Sequence, residues 1–266
     1  MFRKSIFLIL TIAVFVSFSG CEAVKNSSGI NIFPVEKDKA LGLQVSAEIE
    51  SDTEQFPILP EQGNEKIYKY IREIRDNILN SGEVRYKDEF AWQVKIIDDA
   101  ETLNAFATPG GYIYVYTGLI KYLDSEDHLA GVMGHEIAHA DLRHSTRQLT
   151  KMYGVQELIS IALGNSGAVK DVAAALINLK FSRSHESESD AASVRYMCST
   201  PYNAAGAAGF FEKIEAEGSS QPPQFMSTHP NPGNRVEAIK GKKAALSCTG
   251  NETYQSRYEQ MKKLLK

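Results

Sequence analysis

The sequence predicts an α+β domain, mostly helical, with a small β-sheet or hairpin just before its most distinctive helix. Two observations carry the class. The β-type runs are confined to residues 90–116, and helical periodicity dominates from residue 125 onward. Strands followed by helices argue for α+β rather than for an alternating layered fold. A third observation, two histidines four residues apart in a helical stretch, places a candidate site beside that β-unit.

Residues 35–50 set Leu41, Val45 and Ile49 at helical spacing. Phe56-Pro57-Ile58-Leu59-Pro60 breaks that helix. Residues 61–79 carry a single apolar stripe of Ile67, Tyr70, Ile71, Ile74 and Ile78, ended by Asn80-Ser81-Gly82. Residues 90–97 alternate in part and are β-rich, so they read as a strand. Residues 103–116 hold two short β-type runs around Pro109-Gly110-Gly111, the pattern of a hairpin. Later loops are expected at 164–167 and 218–230. The apolar stretches 152–163 and 169–179 are too short, and with Lys170 and Asp171 too polar, to span a bilayer. Amphipathic helices packed on the domain are expected there instead.

A chain of 266 residues with 43% hydrophobic and 23% charged residues can bury a core, which excludes a disordered tail protein. A formal charge of −4 argues against nucleic acid as a partner, because a phosphate-binding face needs a basic excess. The chain opens Met1-Phe2-Arg3-Lys4, runs apolar over residues 6–18, then reads Ser19-Gly20-Cys21. A basic start, a short apolar run and small residues are the features of a secretory signal. Cys21 after Ser-Gly resembles the bacterial lipobox, although Phe18 stands where an aliphatic residue is usual.

The expected organisation is therefore a lipoprotein signal peptide over residues 1–20, a lipidated Cys21 with a polar tether to residue 35, and one domain over 36–266. Cleavage removes Arg3 and Lys4 and takes the formal charge from −4 to −6. Acyl chains would hold the domain on a membrane on the periplasmic side of a bacterial envelope. Glu22, rather than Asp, after the cysteine favours the outer membrane. In that oxidising compartment Cys198 and Cys248 are left as an even pair, expected to form a disulfide.

The strongest local signal is His135-Glu136-Ile137-Ala138-His139. Two histidines four apart share one helical face and can reach one zinc ion, while the Glu between them can reach a zinc-bound water. Asp124-Ser125 offers an N-cap, Glu126 and Asp127 suit the positive helix end, and Leu129, Val132, Met133 and Ile137 face a core. A third protein ligand is needed. Downstream, Glu186 and Asp190 share a helical face: one carboxylate can ligate, while the other orients a ligand histidine. From spacing alone His185, Glu186 and Glu188 compete for the ligand role. His128, His144 and His185 read as surface or helix-end residues.

Four blocks in order resemble the zinc metalloendopeptidase family of the CAAX prenyl proteases, HtpX and the BepA/Oma-like periplasmic proteins. They are Asn104-Ala-Phe-Ala with Pro109 to Leu119, then Leu129 to His139, then Ser182-Arg183 with Glu186 and Asp190, then Ser227-Thr228-His229-Pro230 with Arg235. The resemblance covers roughly residues 36–245. It implies a mostly helical zincin (gluzincin-like) metalloprotease fold and one zinc ion per chain. It implies His135, His139 and Glu186 as ligands, Asp190 as their supporting partner and Glu188 as a surface residue. It offers His229 and Arg235 as oxyanion donors and Asn104 as a substrate contact. It also implies that His229 can take the fourth zinc position at rest as a latch. The chain ends at Lys266, so the tetratricopeptide-like repeat module of BepA is not expected.

The resulting expectation is an endopeptidase of unfolded or misassembled envelope polypeptides, with Glu136 as general base. The run from Gly111 through Tyr112 and Ile113 to Val115 suits an edge strand that pairs with extended substrate, the alternative being an ordinary inner strand. The alternative is a lipid-anchored, chaperone-like peptide-binding protein, which has no need of Glu136. Prenyl-protein processing needs a membrane chamber that this sequence does not encode.

Overall fold

The computed structural model describes residues 31–165, 167–218, 223–231 and 233–265; the expected signal peptide, Cys21 and most of the expected tether lie outside them. The first helices are α1 (Val35–Ser51) and α2 (Glu65–Leu79), followed by strands β1 (Gln93–Ile97), β2 (Ala105–Thr108) and β3 (Tyr112–Tyr116). Then come α3 (Thr117–Tyr122), α4 (Glu126–Asp141), α5 (His144–Tyr153), α6 (Val155–Ala162) and α7 (Val169–Ile177). The chain continues through α8 (Arg183–Met197), α9 (Gly206–Glu217), α10 (Gln224–Thr228), α11 (Arg235–Ala245) and α12 (Gln255–Lys262). The domain is mostly helical with one three-stranded sheet, as the sequence predicts.

The hairpin of β2 and β3 forms around Pro109-Gly110-Gly111, where both glycines take positive φ values of 76° and 85°. A side chain at Gly111 would meet the Trp92 ring at 3.0 Å, so the turn needs glycine twice over. The sheet order is β1-β3-β2, with β1 parallel and β2 antiparallel to β3. The expected edge strand at Gly111, Tyr112 and Ile113 is thus an inner strand, because β1 returns in parallel and pairs Val94 with Ile113. The outer strands are β1, where Ile97 bridges to Ile58, and β2, whose outer side lies against α4 and α10.

Each face of β3 enters a different core. Ile113 and Val115 pack with Ile67, Ile71, Leu129, Val132 and Met133 from α2 and α4. Tyr112, Tyr114 and Tyr116 pack with Leu41 and Val45 of α1, Leu158 of α6 and Val172 of α7. So α6 and α7 do close over α1, and no described helix is long and apolar enough to cross a membrane.

Helix α4 lies at the centre, buried at every position except His128. Its neighbours approach at glycines: a Cβ on Gly131 would stand 2.1 Å from the Ala207 nitrogen on α9. A Cβ on Gly134 would stand 2.6 Å from the Ser193 hydroxyl on α8. Cys198, which caps α8, and Cys248, which follows α11, form a disulfide.

These contacts reverse the usual sign of a helical Gly→Ala change. Gly241 on α11 has open space, so Gly241→Ala should stabilise by about 0.5–1 kcal/mol through helix propensity. Gly131→Ala should instead destabilise by roughly 1–3 kcal/mol, because the α9 backbone must move. Urea unfolding of the two variants beside the parent chain measures both, and equal signs would refute the close crossing.

Candidate metal centre

Three separate segments build the site. Helix α4 presents His135, Glu136 and His139, α8 presents Glu186 and Asp190, and the turn after α10 presents His229. Ser182 starts α8 by accepting the His185 backbone N–H, which fixes where Glu186 falls. One ligand atom each from His135, His139, Glu186 and His229 lies within 4.8 Å of the others, and all four residues are buried. The Nε2 atoms of His135 and His139 are 3.0 Å apart, and His229 Nδ1 is 3.3 Å from both His135 Nε2 and Glu186 Oε1.

Around them stands a supporting layer. His135 Nδ1 lies 2.8 Å from Asp190 Oδ1, which leaves its Nε2 for an ion. Arg235 donates to both Asp190 oxygens at 2.7 and 2.8 Å, to Glu186 Oε2 at 3.0 Å and to the His229 carbonyl at 3.4 Å. Its guanidinium lies over the Phe211 ring at 4.0 Å, fully out of solvent. The oxyanion-donor role expected of Arg235 does not fit this placement, since every guanidinium nitrogen is already engaged with the carboxylates or a carbonyl. Arg235 holds the carboxylates instead.

Glu186 and Asp190 share the one Arg235 guanidinium, and Glu136 adds a third buried carboxylate to the site. Burial alone would disfavour a charged His135, but Asp190 and Glu186 outweigh it and push the imidazole up to about 9. Burial likewise raises the Glu186 carboxyl, yet His229, His135 and His139 pull it well below its ordinary range. Burial pushes Glu136 up. A pocket that draws a proton onto a buried histidine suits a divalent cation, and an N₃O donor set suits zinc. The residues present fit the ion.

Glu136 accepts the Ala107 backbone N–H of β2, and its Oε1 has no hydrogen-bond partner although His229 Nε2 stands 3.6 Å away. Its free oxygen therefore faces the ligand cluster beside the sheet edge. Along that edge Asn104 turns its carbonyl inward to the Tyr116 N–H, so Leu103, Ala105 and Ala107 point their peptide groups outward. The side chain of Asn104 is buried with an unpaired Oδ1. Helix α10 lies on this edge: the Phe225 N–H donates to the Leu103 carbonyl, and the Phe225 ring stacks on His229 at 4.3 Å.

His144 and His185 lie at the starts of α5 and α8, in keeping with the helix-end reading, but at 0% and 3% exposure neither is on the surface. Glu188 also faces inward, with its Oε2 3.3 Å from His144 Nε2. The chain leaves the α4 helix at Leu142, passes Arg143 at φ 59°, and turns His144 back against His139. A continuous helix would have carried His144 away from the ligand face.

Substituting Asp190→Asn leaves Arg235 a buried cation facing an amide and takes the charged partner from His135. Zinc affinity should fall about 10- to 100-fold, with a lower melting temperature of the metal-free protein. Competition with a chromophoric chelator reads the first and calorimetry the second; unchanged values for both would refute the supporting role.

The profile of Peptidase family M48 matches residues 66–243. The mitochondrial metalloendopeptidase OMA1 of Arabidopsis thaliana is 31% identical, over 56% of this chain and 31% of its own length. The metalloprotease YcaL of Escherichia coli is 27% identical over 91% of this chain and 99% of its own. The beta-barrel assembly-enhancing protease of the same species is 30% identical over 51% and 31%. The chain thus spans about a third of the OMA1 and assembly-enhancing relatives but nearly all of YcaL. The matched segment contains every residue of the buried cluster, and the chain belongs to peptidase family M48.

Proposed function

We propose that this chain is a zinc-dependent endopeptidase that cuts unfolded or misassembled polypeptides of a bacterial envelope. The observation that carries the reading is the buried His135-His139-Glu186 ligand set with the partnerless oxygen of Glu136 beside it. A bound zinc ion supplies Lewis acidity for a peptide carbonyl and makes a water molecule acidic near neutral pH. The remaining work belongs to side chains. Glu136 takes the proton of the attacking water and returns it to the leaving amine. Asp190 and Arg235 hold His135 and Glu186 in register. Ala105, the Ala107 carbonyl and, once α10 lifts, the Leu103 carbonyl offer outward peptide groups to an extended substrate, in place of the expected Gly111, Tyr112 and Ile113.

His229 acts as a latch, filling the fourth ligand position at rest. Its Nδ1 sits among the ligand atoms, while α10 covers the substrate edge at Leu103. Lipid anchoring at Cys21, with a signal over residues 1–20, a tether to residue 35 and the metallopeptidase domain over 36–266, follows from the N-terminal sequence alone. The disulfide supports an oxidising compartment.

Protein beginning at Glu22 should carry one zinc per chain and cleave casein. Glu136→Gln should keep the zinc and lose cleavage by a factor on the order of 10² to 10⁴, the usual worth of a general base. A variant that bound zinc and still cleaved would remove Glu136 from the chemistry. Normal function in cells with this variant would favour the chaperone-like alternative.

The latch has its own test. His229→Ala should raise the resting rate of casein cleavage while leaving zinc at one per chain. A rate equal to or below that of the parent would discard it.

A further inference from the structure

We propose that His144 is a positioning residue for the zinc ligand His139, held in one tautomer by Glu188. The inference rests on the zinc reading above, and it concerns the half of the ligand pair for which the sequence shows no supporting partner. His135 has a carboxylate directly behind it, in Asp190. His139 has none: its Nδ1 faces His144 Nδ1 at 3.1 Å.

Two like nitrogens at hydrogen-bond distance require one donor and one acceptor. A neutral imidazole that offers Nε2 to an ion carries its proton on Nδ1, so His139 is the donor. His144 must then accept at Nδ1 and carry its own proton on Nε2. That nitrogen lies 3.3 Å from Glu188 Oε2, a carboxyl oxygen that can accept it. The Ser189 hydroxyl, 3.3 Å from the same His144 Nδ1, can only share that single lone pair as the weaker arm of a three-centre bond. The bonds therefore run in one direction, from His139 through His144 to Glu188, and reach the same end as the direct bond from His135 to Asp190.

Packing holds the relay in place. The His185 ring stacks on His144 with centroids 4.4 Å apart and planes within 12°. Phe181 covers the His139 ring at 4.0 Å. Arg147 Nη1 stands 3.9 Å from the same Glu188 Oε2. Residues behind a metal ligand typically change metal affinity 10- to 100-fold when removed.

The test measures zinc dissociation by chelator competition on the full mature chain, with the melting temperature of the metal-free protein as a folding control. His144→Phe keeps the ring and removes the acceptor; zinc affinity should fall about 10- to 100-fold. His144→Asn returns an oxygen near the Nδ1 position and should recover much of that loss, which a purely structural role would not do. Glu188→Leu changes a partly exposed side chain at the end of the relay and should weaken zinc on the order of tenfold, so it decides the matter alone if His144→Phe does not fold. Native zinc affinity in folded His144→Phe or in Glu188→Leu would overturn the relay, as would equal losses in His144→Phe and His144→Asn. Absence of zinc from the parent chain would instead overturn the metal reading, and the relay with it.

Discussion

Arg235 grips Asp190 with two N–H groups and touches Glu186 with one of them, and all three side chains are shut away from water. Burying a carboxylate without a partner costs several kcal/mol, so two adjacent ones could not persist in this interior alone. A guanidinium suits the position because its planar fork meets both Asp190 oxygens at once, whereas a lysine would present a single point of charge. The clamp in turn dictates helix placement, since α11 must begin where α8 exposes Glu186 and Asp190. The Cys198–Cys248 disulfide joins the far ends of the same two helices, so the pair is held at both ends.

A second consequence falls on α4. A helix buried at every position but His128 has no wet face for its other polar residues, and apart from the Glu136 Oε1 at the site those at its two ends are satisfied inside. Glu126 accepts from Tyr70, Tyr202 and Arg257. Asp127 accepts from Ser125 and Asn203. Asp141 accepts from the Tyr86 N–H and the Tyr196 hydroxyl. Satisfied networks of this kind rigidify what they surround. The two ligand histidines therefore ride on a rod fixed at both ends, and preorganised metal sites require that.

Much of this was legible in the sequence, and the exceptions have physical causes. The His-Glu-x-x-His spacing and the Glu186–Asp190 pair are local, since a helix sets their geometry without help from the fold. Gly110 and Gly111 announced the hairpin for the same reason. The inner place of β3 is not local, because it depends on β1 arriving from residues 93–97. One signal for it went unused: Tyr112-Ile-Tyr-Val-Tyr116 alternates aromatic with aliphatic residues and has no wet face, as an inner strand requires. His144 was hidden by the break at Arg143, where a left-handed residue redirects the chain and no glycine marks the turn. The role of Arg235 depends on α11 meeting α8, which no spacing in the sequence encodes.

The same contrast separates the rigid part of the site from the part that can move. Helix α10 is five residues long and is held by few bonds: Phe225 N–H to Leu103, Phe181 N–H to Thr228, and the stacked rings of Phe225 and His229. Short elements with few backbone ties open most readily. Phe225 is nevertheless fully buried, and exposing such a ring costs about 2–3 kcal/mol. On that cost alone the opened form is a few per cent of molecules or fewer. In the proposed reading, a polypeptide pairing along β2 would compete with α10 for the Leu103 carbonyl, and an apolar side chain of the substrate would take the place of Phe225. Unfolded chains supply both an extended backbone and exposed apolar side chains, whereas folded proteins withhold them. In the proposed latch, selection for unfolded substrate would then follow from what it takes to lift α10, with no need for a sequence-reading pocket.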